Sequence, residues 1–219
     1  MKIQVKMNLS ILLLLTLFLS ACVDKVTIVP EPAIETVSVS ENPVVTQLED
    51  GRRGFIVTEV THLTDNARRD YEQAVELLKV EDFEHAIEIL EKIIALSPDV
   101  TAPYINIAMA YIRTDNPGPA EEHLKTALSL VPAHPVASNT YGLLLRKDGR
   151  FAEARQIYEE AVTRFPDYLP LHRNLGILCD IYLNDQECAL SQYEYYREGD
   201  PDNKQVALWI TELRMRLGQ

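Results

Sequence analysis

The stretch that decides the fold is residues 101–134, TAPYINIAMAYIRTDNPGPAEEHLKTALSLVPAH. It contains two apolar helical patterns separated by breaker residues at 115–118, and the second pattern ends at Pro132. Its key residues recur at a step of 34 residues, with alanine or glycine at positions 74, 108, 142 and 176 and proline at positions 98, 132 and 166. Such a period is typical of stacked helix-turn-helix units.

Four such units, residues 67–100, 101–134, 135–168 and 169–203, precede a last amphipathic pattern at 204–219. The second unit resembles the tetratricopeptide repeat, a family with small residues at fixed positions of both helices and a proline at the end, because it carries Ala108, Ala120, Ala127 and Pro132. The resemblance implies an all-α, right-handed solenoid of about four repeats, capped by a helix at 204–219. The second helix of the fourth unit runs one residue late, so we predict an insertion in the loop 180–187.

The first 21 residues form a separate pattern that ends at a cysteine. Lys2 and Lys6 precede an apolar run at 11–19, which is too short to span a bilayer comfortably. The run leads into LSAC at 19–22, which resembles the bacterial lipoprotein signal. The resemblance implies that residues 1–21 are a signal peptide, that Cys22 carries lipid, including palmitate, and that Val23 favours the periplasmic face of the outer membrane. A plain secretory signal with a chance cysteine is the alternative.

Residues 22–64 connect this leader to the repeats. Their prolines, β-branched residues and lack of a helical period predict an extended, disordered tether. Within the tether, residues 54–60, GFIVTEV, are either a strand-like segment that lies on the repeats or an apolar stretch of linker.

The composition and the absence of known motifs argue against several classes of function. The chain carries 21 basic and 33 acidic residues, and its net charge of −12 argues against nucleic acid as a partner. It has no nucleophile elbow, phosphate loop or metal-ligand spacing, so we expect no enzyme activity, cofactor, metal or small-molecule substrate. His172 is predicted to be a packing residue at the edge of the core. Residues 200–203 are predicted to end one helix and to cap the next.

Two cysteines remain besides Cys22. Cys179 lies near the end of one predicted helix and Cys188 at the start of its partner, with the predicted insertion between them. In an oxidising periplasm this pair can close a disulfide. The alternative is two buried thiols that act as small core residues.

The tetratricopeptide resemblance also implies a binding groove, because the first helices of stacked units line the concave face. Ligands of such arrays meet a fixed set of positions on those helices. In this chain these positions hold Arg68, Tyr71, Val75, Lys79, Ile105, Met109, Ile112, Arg113, Asn139, Leu143, Arg146, Lys147, Arg173 and Ile177. We expect an apolar floor with basic side chains along one edge, suited to an amphipathic helix or an extended segment with an apolar stripe and some acidic residues. The alternative is that residues 54–63 fill the groove within the same chain.

Leader, tether and repeats together are similar in plan to the repeat lipoproteins that serve as pilotins for pilus or secretion-channel subunits. We therefore predict a non-catalytic, membrane-anchored adaptor that binds a protein or peptide segment and helps to assemble an envelope machine of the pilus or secretion type. The alternatives are a scaffold that recruits peptidoglycan hydrolases or other cell-wall enzymes, and an accessory protein for export of envelope polysaccharide.

Overall fold

The computed structural model describes residues 42–48, 54–59 and 62–219. The predicted signal peptide, Cys22 and residues 23–41 of the predicted tether lie outside them. The described helices are α1 (Asp65–Lys79), α2 (Phe83–Leu96), α3 (Thr101–Arg113), α4 (Pro117–Leu130), α5 (Pro135–Lys147), α6 (Phe151–Arg164), α7 (Leu169–Ile177), α8 (Gln186–Gly199) and α9 (Lys204–Leu217).

Each helix packs against the next one along the chain, and α1, α3, α5 and α7 also contact one another in sequence. The predicted all-α solenoid is thereby confirmed, with one helix pair in each predicted unit. The last helix, α9, turns Val206, Ile210 and Leu213 into the core. In the part of the chain that the structure describes, no helix combines the length and apolar character needed to cross a bilayer.

The turn inside each unit contains one residue with a left-handed backbone. The four residues are Glu81, Asp115, Gly149 and Asn184, with φ values of 63°, 58°, 77° and 51°. Asp82 and Asp185 follow two of them and accept a backbone N–H from the first turn of the next helix, which satisfies a donor that has no partner inside the helix. The left-handed residues repeat the period of the sequence, except that the last one comes a residue late.

The extra residue of the fourth unit lies in a helix and not in a loop. After α7 the chain makes a π-helical turn, Leu178–Tyr182, before it reaches the turn at Asn184. A π-helical turn holds one residue more than the α-helical turn it replaces, which accounts for the delay. The prediction of an insertion in the loop is therefore wrong. The wider turn keeps Leu178 and Cys179 buried and places the added length on the solvent side.

A disulfide joins Cys179 in this turn to Cys188 in α8. Of the two alternatives for these cysteines, the structure has the bridge. It closes a loop of nine residues around the widened turn, which in the chain-entropy model stabilises the folded state by about 2–3 kcal/mol. The bridge thus stabilises the one unit that departs from the common length.

Close contact between the two helices of a unit is made at its small residues. Gly142 in α5 faces the ring of the fully buried Tyr158 in α6, and Gly176 in α7 faces Tyr193 in α8. A Cβ atom at position 176 would lie 2.5 Å from the Tyr193 ring, and one at position 142 would overlap the Tyr158 ring. Only a residue without a side chain leaves room for these tyrosines.

Part of the predicted tether is ordered as a β-hairpin. Strands β1 (Val44–Gln47) and β2 (Phe55–Thr58) pair antiparallel, with Val45 opposite Val57 and Gln47 opposite Phe55. The prediction of a disordered tether is therefore wrong for residues 42–48, and of the two alternatives for residues 54–60 the structure has the strand that lies on the repeats, at Phe55–Thr58. A two-stranded sheet is not stable alone, but Val45, Phe55 and Val57 of this hairpin pack against the helical core.

A charged cluster links the second unit to the third on the outer side of the array. Glu121 in α4 accepts hydrogen bonds from the Tyr141 hydroxyl at 2.9 Å and from the Arg150 guanidinium at 2.8 Å, and Lys125 lies 2.7 Å away. These contacts, led by that of Arg150, lower the pKa of Glu121 to about 2. Since the ionised carboxylate is favoured in the folded state, the cluster stabilises the protein at neutral pH.

We predict that Gly142→Ala destabilises the protein by about 1–3 kcal/mol, because the added methyl group must displace the buried Tyr158 ring. Gly118→Ala is the matched control, since no atom beyond its two chain neighbours and the backbone of its own helix lies within 4 Å of the position where its Cβ would stand. Gly118 lies in the first turn of α4 directly before Pro119, which disfavours a side chain there slightly, so the control should lose less stability than Gly142→Ala. Urea unfolding measures both, and equal effects of the two substitutions would contradict the close-contact argument.

We predict that Glu121→Gln lowers the free energy of unfolding at pH 7 by about 1–2 kcal/mol. The folded-state pKa lies below the ordinary value, so the stabilisation is complete above that value and is lost as the pH falls toward about 2. The difference between wild type and variant should therefore shrink on acidification. The exposed neighbour Glu122 supplies the control Glu122→Gln, and a pH-independent difference at position 121 would refute the assignment.

Candidate functional site: the inner groove

The candidate site is the face formed by α1, α3, α5 and α7, which we call the groove. The predicted binding positions lie on these four helices. The structure divides them into positions that line an open cleft, positions beneath the hairpin, and positions engaged in other contacts.

The open part is a cleft of about 460 Å³ between α3 and α5, which we call the central cleft. Its lining is mostly apolar. Met109 is 44% exposed, and Leu143 and Leu144 contribute further aliphatic surface. Six predicted positions line it, namely Met109, Ile112, Arg113, Asn139, Leu143 and Lys147. Four further lining residues were not among the predicted positions, namely Val136, Thr140, Leu144 and Tyr168.

The hairpin covers the part of the groove next to the central cleft. Phe55 packs edge-on against Tyr168, with ring centroids 5.4 Å apart. A smaller cavity of about 150 Å³ remains beneath Val57 and Glu59, and the predicted positions Tyr71 and Ile105 lie in its lining. The hairpin thus fills one section of the groove within the same chain and leaves the central cleft open. Residues 60 and 61 lie outside the described part.

A largely buried polar contact between the described part of the hairpin segment and the repeats joins Glu59 to His134. His134 caps α5, because its Nδ1 accepts the backbone N–H of Ala137 at 3.2 Å. Its Nε2 lies against a carboxylate oxygen of Glu59. His134 is 2% exposed and Glu59 is 14% exposed, so both groups are largely removed from water. His134 was not among the residues predicted for the site.

The basic side chains at the edge of the central cleft are paired with acids. Lys147 lies 3.1 Å from Asp115, and Arg113 pairs with Glu81 while its guanidinium stands 5.3 Å above the Phe83 ring. Each pair links equivalent positions in successive units. The prediction of a basic edge therefore needs correction, because the acidic partners offset its positive charge. Both pairs are exposed, so each stabilises the array only slightly.

Two hydrogen bonds connect groove positions of neighbouring units. Asn106 donates to the Tyr71 hydroxyl at 2.7 Å, and Asn174 donates to the Asn139 side-chain oxygen at the same distance. Burial raises the pKa of Tyr71 against the effect of the hydrogen bond from Asn106, so its hydroxyl stays neutral. These contacts fix the first helices relative to one another and leave the amide N–H groups of Asn139 to serve as donors in the central cleft.

The remaining predicted positions lie outside both cavities. Arg68 is exposed, Val75 is half-buried, and Lys79 contacts Glu76 in its own helix at 2.6 Å. The other three lie toward the C-terminal end of the array, where Arg146 stands over the Tyr182 ring, Arg173 stands over the Trp209 ring, and Ile177 packs against the core.

Two sets of side chains that could in principle act in catalysis or bind a metal have structural roles. The buried His172 contacts Gln192 through Nδ1 at 2.8 Å and the Pro166 carbonyl through Nε2 at 3.0 Å, and its ring stacks on Tyr195. The prediction that it is a packing residue is thereby confirmed. Cys179, Asp185 and Cys188 have potential metal-ligand atoms close together, but the two sulfurs are bonded to each other. Asn203 caps α9, as the sequence predicts.

Comparison with known proteins agrees with this geometry. Residues 105–168 match the family model described as tetratricopeptide repeat. No curated protein matches the chain. Similar solved structures include MamA, residues 41 to the end, from Desulfovibrio magneticus RS-1, with 19% identity, a TM-score of 0.60, and coverage of 71% of this chain and 87% of that one.

Two further similar structures come from other bacteria. One is pilF of Pseudomonas aeruginosa, with 24% identity, a TM-score of 0.62 and coverage of 69% of both chains. The other is a thermophilic tetratricopeptide protein of Thermus thermophilus, with 17% identity, a TM-score of 0.55, and coverage of 69% of this chain and 83% of that one. At these identities the likeness shows the fold. Residues 105–168 therefore carry tetratricopeptide repeats, and the described helices form a solenoid of the tetratricopeptide type, a fold that binds protein or peptide segments in its groove.

Proposed function

We propose that this protein is a membrane-anchored adaptor that holds a segment of a client protein in the central cleft. The observation that carries the proposal is the cleft itself, which exposes Met109, Ile112 and Leu143 across two adjacent units. A contiguous apolar surface inside a concave groove is stabilised when a partner covers it. Methionine adapts to differently shaped partners because its side chain is unbranched and flexible.

The charged residues around the central cleft indicate which kind of client segment it can bind. Arg113 and Lys147 are already paired with Glu81 and Asp115, so a client gains little from acidic side chains at this edge. The best match is a helix or an extended segment with an apolar stripe. The amide of Asn139 and the hydroxyl of Thr140 supply the polar contacts that fix its orientation.

The proposed location rests on the leader, and the proposed kind of client rests on the similarity of the whole plan of the chain to repeat lipoproteins. We propose that Cys22 carries the lipid anchor, that the anchor holds the protein on the periplasmic face of the outer membrane, and that the client belongs to an envelope machine of the pilus or secretion type. Support comes from the pattern of residues 1–23, which resembles a lipoprotein leader without the retention signal. Several acyl chains on one cysteine give stable membrane attachment, which suits a protein that assembles other subunits at a membrane.

We predict that a photo-crosslinking residue at Met109 or Leu143 captures one defined client in cells. The same residue at Ala152, an exposed position in α6 outside the central cleft, is the control and should not capture it. Leu143→Glu should abolish capture from position 109, because it places an unpaired charge on the apolar surface. Mass spectrometry identifies the adducts. Crosslinks that return only residues 54–63 of the same chain would refute binding in the central cleft.

We predict that Cys22→Ala abolishes labelling with radioactive palmitate and releases the protein from membranes. The double variant Cys179→Ala/Cys188→Ala is the matched control, because it removes the other two cysteines and leaves position 22 intact. It should label and fractionate like the wild type. Labelled, membrane-bound Cys22→Ala protein would rule out the proposed anchor.

A further inference from the structure

Strand β2 lies in the groove as a bound segment would. Its alternate side chains face the repeats, with Phe55 on Tyr168, Val57 above the smaller cavity and Glu59 on His134. The side chains between them, Ile56 and Thr58, are exposed. The repeats therefore contact a pattern of aromatic, apolar and acidic residues at every second position of an extended strand.

His134 makes the acidic position selective. Its Nδ1 accepts a backbone N–H as the cap of α5, so in the neutral ring the proton is on Nε2. That N–H is buried, and the polar atom that lies against it is a carboxylate oxygen of Glu59, at ion-pair distance. If β2 leaves, the buried N–H loses the carboxylate beside it, and this costs free energy until another acceptor arrives. A carboxylate is the group that best replaces the one that leaves.

The section of the groove that β2 occupies, which we call the seat, is continuous with the central cleft. Val136 lines both cavities, and Tyr168 contacts Phe55 on one side while it lines the central cleft on the other. A client that occupied both sections would bury these two residues from both sides. The hairpin therefore limits the length of groove that a client can use.

The attachment of the hairpin is suited to exchange. Among the described residues, no hydrogen bond from backbone to backbone joins the hairpin to a helix. Its contacts are a few side chains, including Gln47, which donates to the Gly199 carbonyl at 3.5 Å. A two-stranded sheet held in this way opens at a lower free energy than the helical core.

We propose that β2 is an exchangeable internal ligand, and that the client carries an extended segment with an aromatic, an apolar and an acidic residue at alternate positions, which takes its place. The inference deepens the proposed adaptor function and rests on it for the identity of the site. The apparent affinity for the client is then the intrinsic affinity multiplied by the fraction of molecules whose groove is not filled by β2. The seat recognises the acidic residue through Nε2 of His134.

The test uses a fluorescein-labelled synthetic peptide of residues 54–60, GFIVTEV, and the full chain purified in detergent. Phe55→Ala/Glu59→Gln weakens two inward contacts of the hairpin and should bind the peptide about tenfold or more tightly than the wild type, measured by fluorescence anisotropy. Ile56→Ala is the matched control, since Ile56 faces solvent, and it should bind like the wild type. Equal gains in both variants, or no binding to the weakened variant, would overturn the proposal.

A second peptide, with Gln in place of Glu59, tests the acidic position. The weakened variant should bind it about fivefold or more weakly than the original peptide, because the amide is a poorer acceptor than the carboxylate. Adding His134→Asn, which keeps a side chain able to cap α5, should remove this preference while the melting temperature stays near that of the parent. A preference that survives in the His134→Asn protein would contradict the assigned role of the histidine.

Amide hydrogen exchange of the wild type tests whether β2 opens separately from the helices, and it does not depend on whether a variant folds. The amide of Ile56, which is opposite Thr46 in a hydrogen-bonded pair of the hairpin, should exchange through an opening that costs less free energy than the one exposing Leu124 or Tyr158. Exchange of β2 only through global unfolding would show a permanent hairpin and overturn the proposal. A permanent hairpin together with client crosslinks at Met109 would leave the adaptor function intact. If the purified protein exchanges β2 for the peptide but no client is crosslinked in cells, β2 is exchangeable and the adaptor function is contradicted.

Discussion

The contact between a glycine and a buried tyrosine, at Gly142 with Tyr158 and again at Gly176 with Tyr193, sets the distance between the two helices of a unit. The tyrosine ring takes the volume that a side chain on the first helix would need, so helix separation and core filling are fixed together. Because each unit contacts mainly its neighbours, this local spacing propagates along the array and determines where the first helices present their inner faces. The groove is a consequence of that spacing.

Most of the helical architecture could be predicted from the sequence because its determinants are local and periodic. α9 lies within the amphipathic pattern at residues 204–219, and Ala108, Ala120 and Pro132 fix the second unit. The fourth unit shows the limit of this reasoning. The sequence reveals one extra residue, but a loop and a widened helical turn absorb it equally well, and burial of Leu178 and Cys179 favours the turn. That preference depends on packing between units.

The site was harder to predict because its features depend on contacts between distant residues. The positions on the first helices follow from helical periodicity, but the division into an open and a covered section depends on a hairpin whose contacts reach from Gln47 to Gly199. A short β-branched stretch has no intrinsic reason to pair, so its structure comes from the surface on which it lies. The pairing of Lys147 with Asp115 is likewise hidden in the linear sequence, although both positions recur from unit to unit.

The position of the hairpin also determines how the molecule responds to force. Tension on the chain before residue 42 enters the described structure at β1 and passes through contacts with α8 and Tyr168 before it reaches α1. These contacts are made by side chains spaced along two short strands. A pulling force therefore acts on them one after another and not on all of them at once. The helices are held by continuous burial, so their core opens at a higher free energy than the hairpin does. Stretching of an attached chain would therefore uncover the neighbouring section of the groove while every repeat stays folded, which makes access to the groove sensitive to mechanical load.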